Sequence, residues 1–187
     1  MRSPFYFIAK PVNGKRYDNT REIGGVDFIV STSEEDHQFS NRYAEVVELP
    51  LGYKGPIRPG DILLVHHNVF KYYNDMKGRQ KSGRSFFKDD NFFIETDQFF
   101  LYKNGSTWNA YDRYCFVKPI PAIDSYIKKP FSKEPLMAIM KYPNEYLISK
   151  GVNAGDMVCF APDTEYEFEV DGEKLYRMYD NQITIKL

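Results

Sequence analysis

The chain lacks nearly every pattern on which catalysis is built. It has 187 residues, yet only two cysteines, three histidines and one tryptophan. Cys115 and Cys159 sit at matching places near strands of the second half, among apolar neighbours, which predicts reduced, buried thiols, with a disulfide between them as the lesser alternative. His66 and His67 are adjacent, and neighbours in a strand point to opposite faces, so the pair is not expected to converge on a metal. No Gly-x-x-x-x-Gly-Lys loop is present to cradle a phosphate, and no Gly-x-Ser-x-Gly turn to expose a nucleophile. The acid pairs Glu34-Glu35 and Asp89-Asp90 lie in polar stretches and read as solvated. The sequence therefore predicts a non-enzymatic protein with no cofactor and no metal site.

Long apolar runs are missing too. No stretch approaches the ~18 residues of a membrane-spanning helix. The opening Met-Arg-Ser-Pro is not followed by the apolar run of a secretory signal. The expectation is a cytoplasmic protein with no membrane partner. A net charge of −1 gives no global field to draw in nucleic acid.

Aromatic residues are abundant, at 17% of the chain with 15 Tyr and 15 Phe. They favour strands and pack across sheet faces. They also recur in order. Phe7-Ile8-Ala9-Lys10-Pro11-Val12 returns as Phe116-Val117-Lys118-Pro119-Ile120. Pro59-Gly60-Asp61-Ile62-Leu63-Leu64-Val65 returns as Ala154-Gly155-Asp156-Met157-Val158-Cys159-Phe160. Asp97-Gln98-Phe99-Phe100-Leu101-Tyr102-Lys103 returns as Asn181-Gln182-Ile183-Thr184-Ile185-Lys186-Leu187. Three matches in one order predict a duplicated all-β unit. The boundary is placed near Gly105, giving units 1–105 and 106–187, with Asn104-Gly105, Trp108 and Asn109 to Asp112 as the link.

The units differ in their loops. In the first, Asn13 to Arg42 is polar except for one apolar island, Val26-Asp27-Phe28-Ile29-Val30, introduced by Gly24-Gly25. A connection this long in a compact domain points to function or disorder. The Lys-Pro anchors are 108 residues apart (Pro11 to Pro119) but the Gly-Asp anchors only 95 (Gly60 to Gly155), so the second loop is 13 residues shorter. A further piece, Lys71 to Lys88, carries Lys71, Lys77, Arg79, Lys81, Arg84 and Lys88 against Asp75 alone. Its tip, Met76 to Ser85, reads as a protruding hairpin without counterpart in the second unit. Glu165-Tyr166-Glu167-Phe168-Glu169-Val170 alternates with period two, and Asp171-Gly172 follows as a tight turn, which predicts a half-buried hairpin. Helix is expected only as one short turn at Glu145 to Lys150.

The order of these segments resembles the chaperonin-10 (GroES-type) co-chaperonin family, here in a tandem duplicated form. The resemblance is carried by the opening aromatic/aliphatic-Lys-Pro strand, the Gly-Gly-apolar loop and Tyr43-Ala44-Glu45-Val46-Val47-Glu48-Leu49. The Gly-Asp strand starts and the closing Asp171-Gly172-Glu173-Lys174-Leu175-Tyr176-Arg177-Met178 complete it. The resemblance implies two tandem small antiparallel β-barrels that assemble into a ring-like homo-oligomer and cap a chaperonin-60 ring. Each barrel of such a family docks through a mobile loop, here 13–42. Gly24 and Gly25 would give that loop its freedom, and Val26, Phe28, Ile29 and Val30 its apolar anchor. Asp27 interrupts the anchor, the second loop has no glycine pair, and the basic hairpin has no place in the family pattern.

Two other readings compete. Lys71, Lys77, Arg79, Lys81, Arg84 and Lys88, interleaved with Tyr72, Tyr73, Phe86 and Phe87, could hold single-stranded nucleic acid through phosphates and stacked bases. Alternatively, the doubled unit is a structural ring component without a chaperonin partner. The island Val26 to Val30 also reads as an ordinary edge strand. The closing segment Gln182 to Leu187 could pair within its own unit or with a neighbour.

Overall fold

A computed structural model describes residues 2–17, 20–23, 26–29, 40–120 and 136–187, with 20–23 and 26–29 described by their backbone alone. The fold is all-β and antiparallel, with one short helix among the described residues. Two compact units divide the chain, Met1–Thr107 and Trp108–Leu187.

The first unit contains β1 (Phe7–Pro11), β2 (Thr20–Ile23), β3 (Val26–Ile29), β4 (Tyr43–Glu48), β5 (Ile62–Val65), β6 (Tyr72–Asn74) and β7 (Gln80–Ser82). It continues with β8 (Phe86–Lys88), β9 (Asn91–Ile94) and β10 (Phe99–Asn104), and the division falls inside β11 (Thr107–Ala110). Seven of these form one sheet in the order β11-β10-β5-β4-β1-β9-β8, while β2-β3 and β6-β7 are separate two-stranded hairpins. Phenylalanine fills the interior. Phe7 meets Phe99 edge-on at 5.4 Å and Phe70 meets Phe92 at 4.8 Å, all four fully buried. Such edge-to-face pairs add to what area burial alone contributes.

The second unit contains β12 (Tyr114–Pro119), β13 (Met137–Tyr142), α1 (Glu145–Ser149), β14 (Met157–Phe160), β15 (Tyr166–Val170), β16 (Glu173–Tyr179) and β17 (Ile183–Lys186). Its core gathers Cys115, Val117, Met140, Leu147, Val158 and Phe160. The helix starts where expected because Asn144 caps it: its Oδ1 accepts the Leu147 amide at 2.9 Å, one of the amide groups a first helical turn leaves unpaired. The Asn144 amide nitrogen in turn donates to Asp180 at 3.0 Å and to the Asp112 carbonyl at 2.9 Å.

The two sheets share a strand order. The first reads β10-β5-β4-β1-β9-β8 and the second β17-β14-β13-β12-β16-β15. Registers agree as well. Ala9 opposes Val46 and Pro11 opposes Ala44, as Val117 opposes Met140 and Pro119 opposes Ala138. Each pairing shifts register one step earlier, at Ile8/Ala9 and at Phe116/Val117. The Gly-Asp turns match in detail. Gly60 donates to the Val46 carbonyl at 2.8 Å and Gly155 to that of Met140 at 2.8 Å. The Asp61 carboxylate accepts the Arg58 amide at 2.8 Å, and Asp156 accepts that of Asn153 at 2.6 Å. Both glycines sit at φ +91°, where a Cβ is strained.

Some expectations change in detail and others are met. The link around Gly105 contains regular structure: β10 and β11 flank it as strands, and Gly105 supplies the positive φ of 60°. The basic hairpin lies earlier than Met76 to Ser85, with strands at 72–74 and 80–82 and its turn between them. The Asp171-Gly172 turn joins β15 to β16 with both residues at positive φ, the signature of a type I′ hairpin, and Phe168 and Val170 are buried while Glu167 and Glu169 face out. The closing strand pairs within its own sheet, Cys159 opposing Ile185. No helix among the described residues is long and apolar enough to cross a membrane.

Candidate functional site

The long first loop begins and ends at a stitched neck. Tyr17 and Ser40 form an isolated antiparallel bridge. The Asn41 amide donates to the Arg16 carbonyl at 2.9 Å, and its side chain donates to the carbonyls of Val12 at 3.0 Å and Lys15 at 2.7 Å. Buried Ser40 donates to the His67 carbonyl at 2.8 Å. Chain ends held together in this way suit a loop that projects from a rigid scaffold.

Beyond the neck, β2 and β3 pair with Ile23 opposite Val26, Glu22 opposite Asp27, Arg21 opposite Phe28 and Thr20 opposite Ile29. Two residues, Gly24 and Gly25, separate the strands, the spacing of a tight hairpin. Gly24, Gly25 and Val30 lie outside the described residues. Val26, Phe28 and Ile29 belong to β3, which pairs with β2 and joins neither large sheet. The counterpart loop of the second unit, 121–135, lies outside the described residues as well.

The neck is locked by a residue the sequence reading passed over. Arg16 is buried, its guanidinium 4.3 Å from the Tyr72 ring centroid, 4.8 Å from Phe86 and 4.7 Å from Phe92. It donates to Ser82 Oγ at 2.9 Å and to Asp90 at 3.2 Å. Tyr17 joins in, stacking on Tyr72 at 6.0 Å and accepting the Tyr72 amide at 3.0 Å through its hydroxyl. A cation enclosed by ring faces is held electrostatically once water is removed. In sequence, Arg16 is one charged residue in a polar stretch, and its only signal is the surplus of aromatics elsewhere.

Three of the six basic residues are already engaged. Lys81 lies 3.9 Å from Asp75 and Arg84 3.1 Å from Glu95. Lys88 sits 5.6 Å from the Phe87 ring. Lys77 and Arg79 stand at the exposed hairpin turn, their amides both held by Asp75 Oδ1 at 2.8 and 2.9 Å. Lys71 lines a cleft of about 310 Å³ with Tyr72, Tyr73 and Arg84. The rings needed for base stacking are largely engaged: Tyr72 and Phe86 by Arg16, Phe87 by Phe93 at 4.8 Å. Tyr73 alone of these four is exposed, at 48%.

The remaining polar groups settle plainly. The His66 and His67 rings do not diverge but lie 4.0 Å apart, because β5 ends at Val65 and the strand alternation ends with it. No group of three or more metal-ligating side chains occurs among the described residues. Asp90 is not merely solvated but pairs with Arg16, while Glu34 and Glu35 lie outside the described residues. Both cysteines are free thiols; Cys115 is buried and Cys159 half-buried. Burial pushes the Cys115 thiol up to about 12, which keeps it protonated and inert.

No protein-family model matches the chain, and none of the curated proteins matches its sequence.

Proposed function

We propose that the chain is a doubled co-chaperonin-like protein, built of two small barrels, that caps a chaperonin-60 ring through the arm at 18–39. One observation carries the reading. The segment with Val26, Phe28 and Ile29 forms a hairpin separate from both large sheets, on a neck tied by Tyr17, Ser40 and Asn41. An edge strand serving its own core is expected to pair with a sheet, and β3 pairs only with β2, which supports a role toward another protein.

The chemistry is that of reversible capture. A projecting segment that loses conformational freedom on docking binds with modest affinity and releases readily. Several arms on one assembly gain strength through effective concentration. Self-association fits a second feature. Met137, Ile139, Met157 and Ile185 are exposed on strands β13, β14 and β17, where Ile139 opposes Met157 and Cys159 opposes Ile185, and β17 is an edge of its sheet. Edge strands with an apolar face invite pairing with another chain.

The test is capture of the protein by a chaperonin-60 ring with ATP, alongside the native particle mass. Binding that survives replacement of Val26, Phe28 and Ile29 by serine sinks the arm assignment. A single-chain particle mass sinks the ring. The same protein failing to bind any chaperonin, yet forming a closed oligomer, would favour the structural ring component.

A further inference from the structure

The hairpin β6–β7 has no counterpart in the second sheet, and a capping arm gives it no task. Its place in the fold does. Tyr72 opens the hairpin and donates its amide to the Tyr17 hydroxyl; Ser82 closes it and accepts from Arg16. Both ends are thus tied to Arg16 and Tyr17, at the neck from which the arm departs. The hairpin and the start of the arm share the same anchoring residues.

The hairpin also carries charge. Asp75 is occupied by Lys81 and by the turn amides, Glu95 by Arg84, and Asp90 by Arg16. Among the described residues no carboxylate pairs with Lys71, Lys77 or Arg79. Lys71 sits at the hairpin base, in the 310 Å³ cleft that Gly83 also lines. A Cβ at Gly83 would come within 2.9 Å of the Lys71 carbonyl oxygen, so the backbone closes up there only because the residue is glycine.

We propose that β6–β7 and this cleft form a second docking site, which receives an acidic segment of the same protein partner that the arm grips. The inference rests on the arm reading above. Lys71 in the cleft at the hairpin base, and Lys77 and Arg79 at its exposed turn, are three unpaired cations on one hairpin that match a short run of carboxylates. A net charge of −1 gives the chain as a whole little long-range attraction, so a local patch can orient approach. Charges beside an apolar anchor speed and orient encounter, while the anchor holds the complex. Nucleic acid fits less well, because Tyr72 and Phe86 already lie against Arg16.

Two measurements on the whole chain test the site separately from the arm. In the first, a short polyglutamate peptide is titrated at low salt, with an oligothymidylate of equal charge as comparator. Polyglutamate should bind, lose about tenfold or more in affinity with K77E/R79E, and be indifferent to serine at Val26, Phe28 and Ile29. Equal affinity in K77E/R79E overturns the site, and tighter binding of oligothymidylate overturns the protein partner in favour of a nucleic acid. In the second, association with a chaperonin-60 ring and ATP should slow about tenfold in K77E/R79E at low salt, with dissociation nearly unchanged. An unchanged association rate overturns the shared partner. A chain that binds polyglutamate but no chaperonin ring removes the capping function and leaves the acidic-segment site standing.

Discussion

The Arg16 guanidinium lies 4.3 Å from the centroid of the Tyr72 ring, and this one contact joins the neck of the arm to the base of the basic hairpin. Phe86 and Phe92 complete the enclosure, with Ser82 and Asp90 as hydrogen-bond acceptors. Removing the side chain leaves three rings around a void and unties Arg16 from the base of the hairpin. We expect Arg16→Ala to cost about 3 kcal/mol in urea unfolding. Arg16→Lys should recover little of it, because an ammonium cannot lie flat against the rings while reaching Ser82 and Asp90 together. Amide exchange should rise at Tyr17, Asn41 and Tyr72 and stay unchanged in 108–187. Uniform exchange across both units would overturn this account. Asp90→Asn should cost under about 1 kcal/mol, since the carboxylate is 66% exposed.

The matched Gly-Asp turns give a paired prediction. Gly60 and Gly155 share a φ of +91°, and in neither would a Cβ meet any atom within 4 Å. The penalty for alanine is therefore backbone strain alone, about 1–2 kcal/mol at each site. Gly60→Ala and Gly155→Ala should destabilise their own units by similar amounts, read as the shift of each unit's unfolding midpoint. A neutral effect at one site only would mean the two turns differ in strain despite their equal geometry.

These turns also show what the sequence made legible. The Gly-Asp repeats were readable because a positive φ demands glycine and an Asx turn demands a short acid, so the backbone writes itself into the residue types. The Glu167/Glu169 alternation was readable for a similar reason, since period two follows from the pleat; the Lys-Pro strands, whose burial does not alternate, were readable only as recurring aromatic and aliphatic segments. The Arg16 enclosure was not. Its partners come from positions 72, 82, 86, 90 and 92, and no local pattern links a cation to rings so far along the chain. The His66-His67 pair misled because alternation was assumed past the end of β5 at Val65. The apolar arm was legible as an island in a polar loop, but its separation from both sheets appears only in the pairing.

Thiol chemistry should distinguish the two cysteines. Cys115 is fully buried, and burial raises it to about 12. Cys159 is half-buried, on the outward face with Met137 and Ile185 opposite it. In the native protein at mildly alkaline pH, a maleimide or disulfide reagent should modify Cys159 and spare Cys115, and both should react in urea. Mass spectrometry of the labelled peptides reads the result. If the outward face is covered on self-association, Cys159 labelling should fall as protein concentration rises. Fast native labelling of Cys115 would contradict the core packing.

Glu173 decides how the second unit responds to acid. Its carboxylate accepts from Lys118 Nζ at 2.7 Å and Lys141 Nζ at 2.6 Å, tying β12 and β13 to the start of β16. These hydrogen bonds, Lys118 first and Lys141 second, hold the carboxyl below its ordinary value. A depressed folded value means that the unfolded chain binds the proton more readily. The stabilisation is therefore complete above the unfolded pKa of about 4.3 and is lost as pH falls through the lower folded value. The Glu173 hydrogen bond also raises Lys141, so the same bridge should weaken at the alkaline end, as pH climbs through the folded value of the lysine. The lysine side chains are 51% and 39% exposed, so solvent screening limits the whole effect to under about 1 kcal/mol. In urea titrations across pH, Glu173→Gln should lower the midpoint near neutrality and flatten the fall below about pH 4.3. The wild-type chain should converge on the variant as the medium turns acid. Parallel curves for the two proteins at every pH would mean that the bridge contributes packing and no charge.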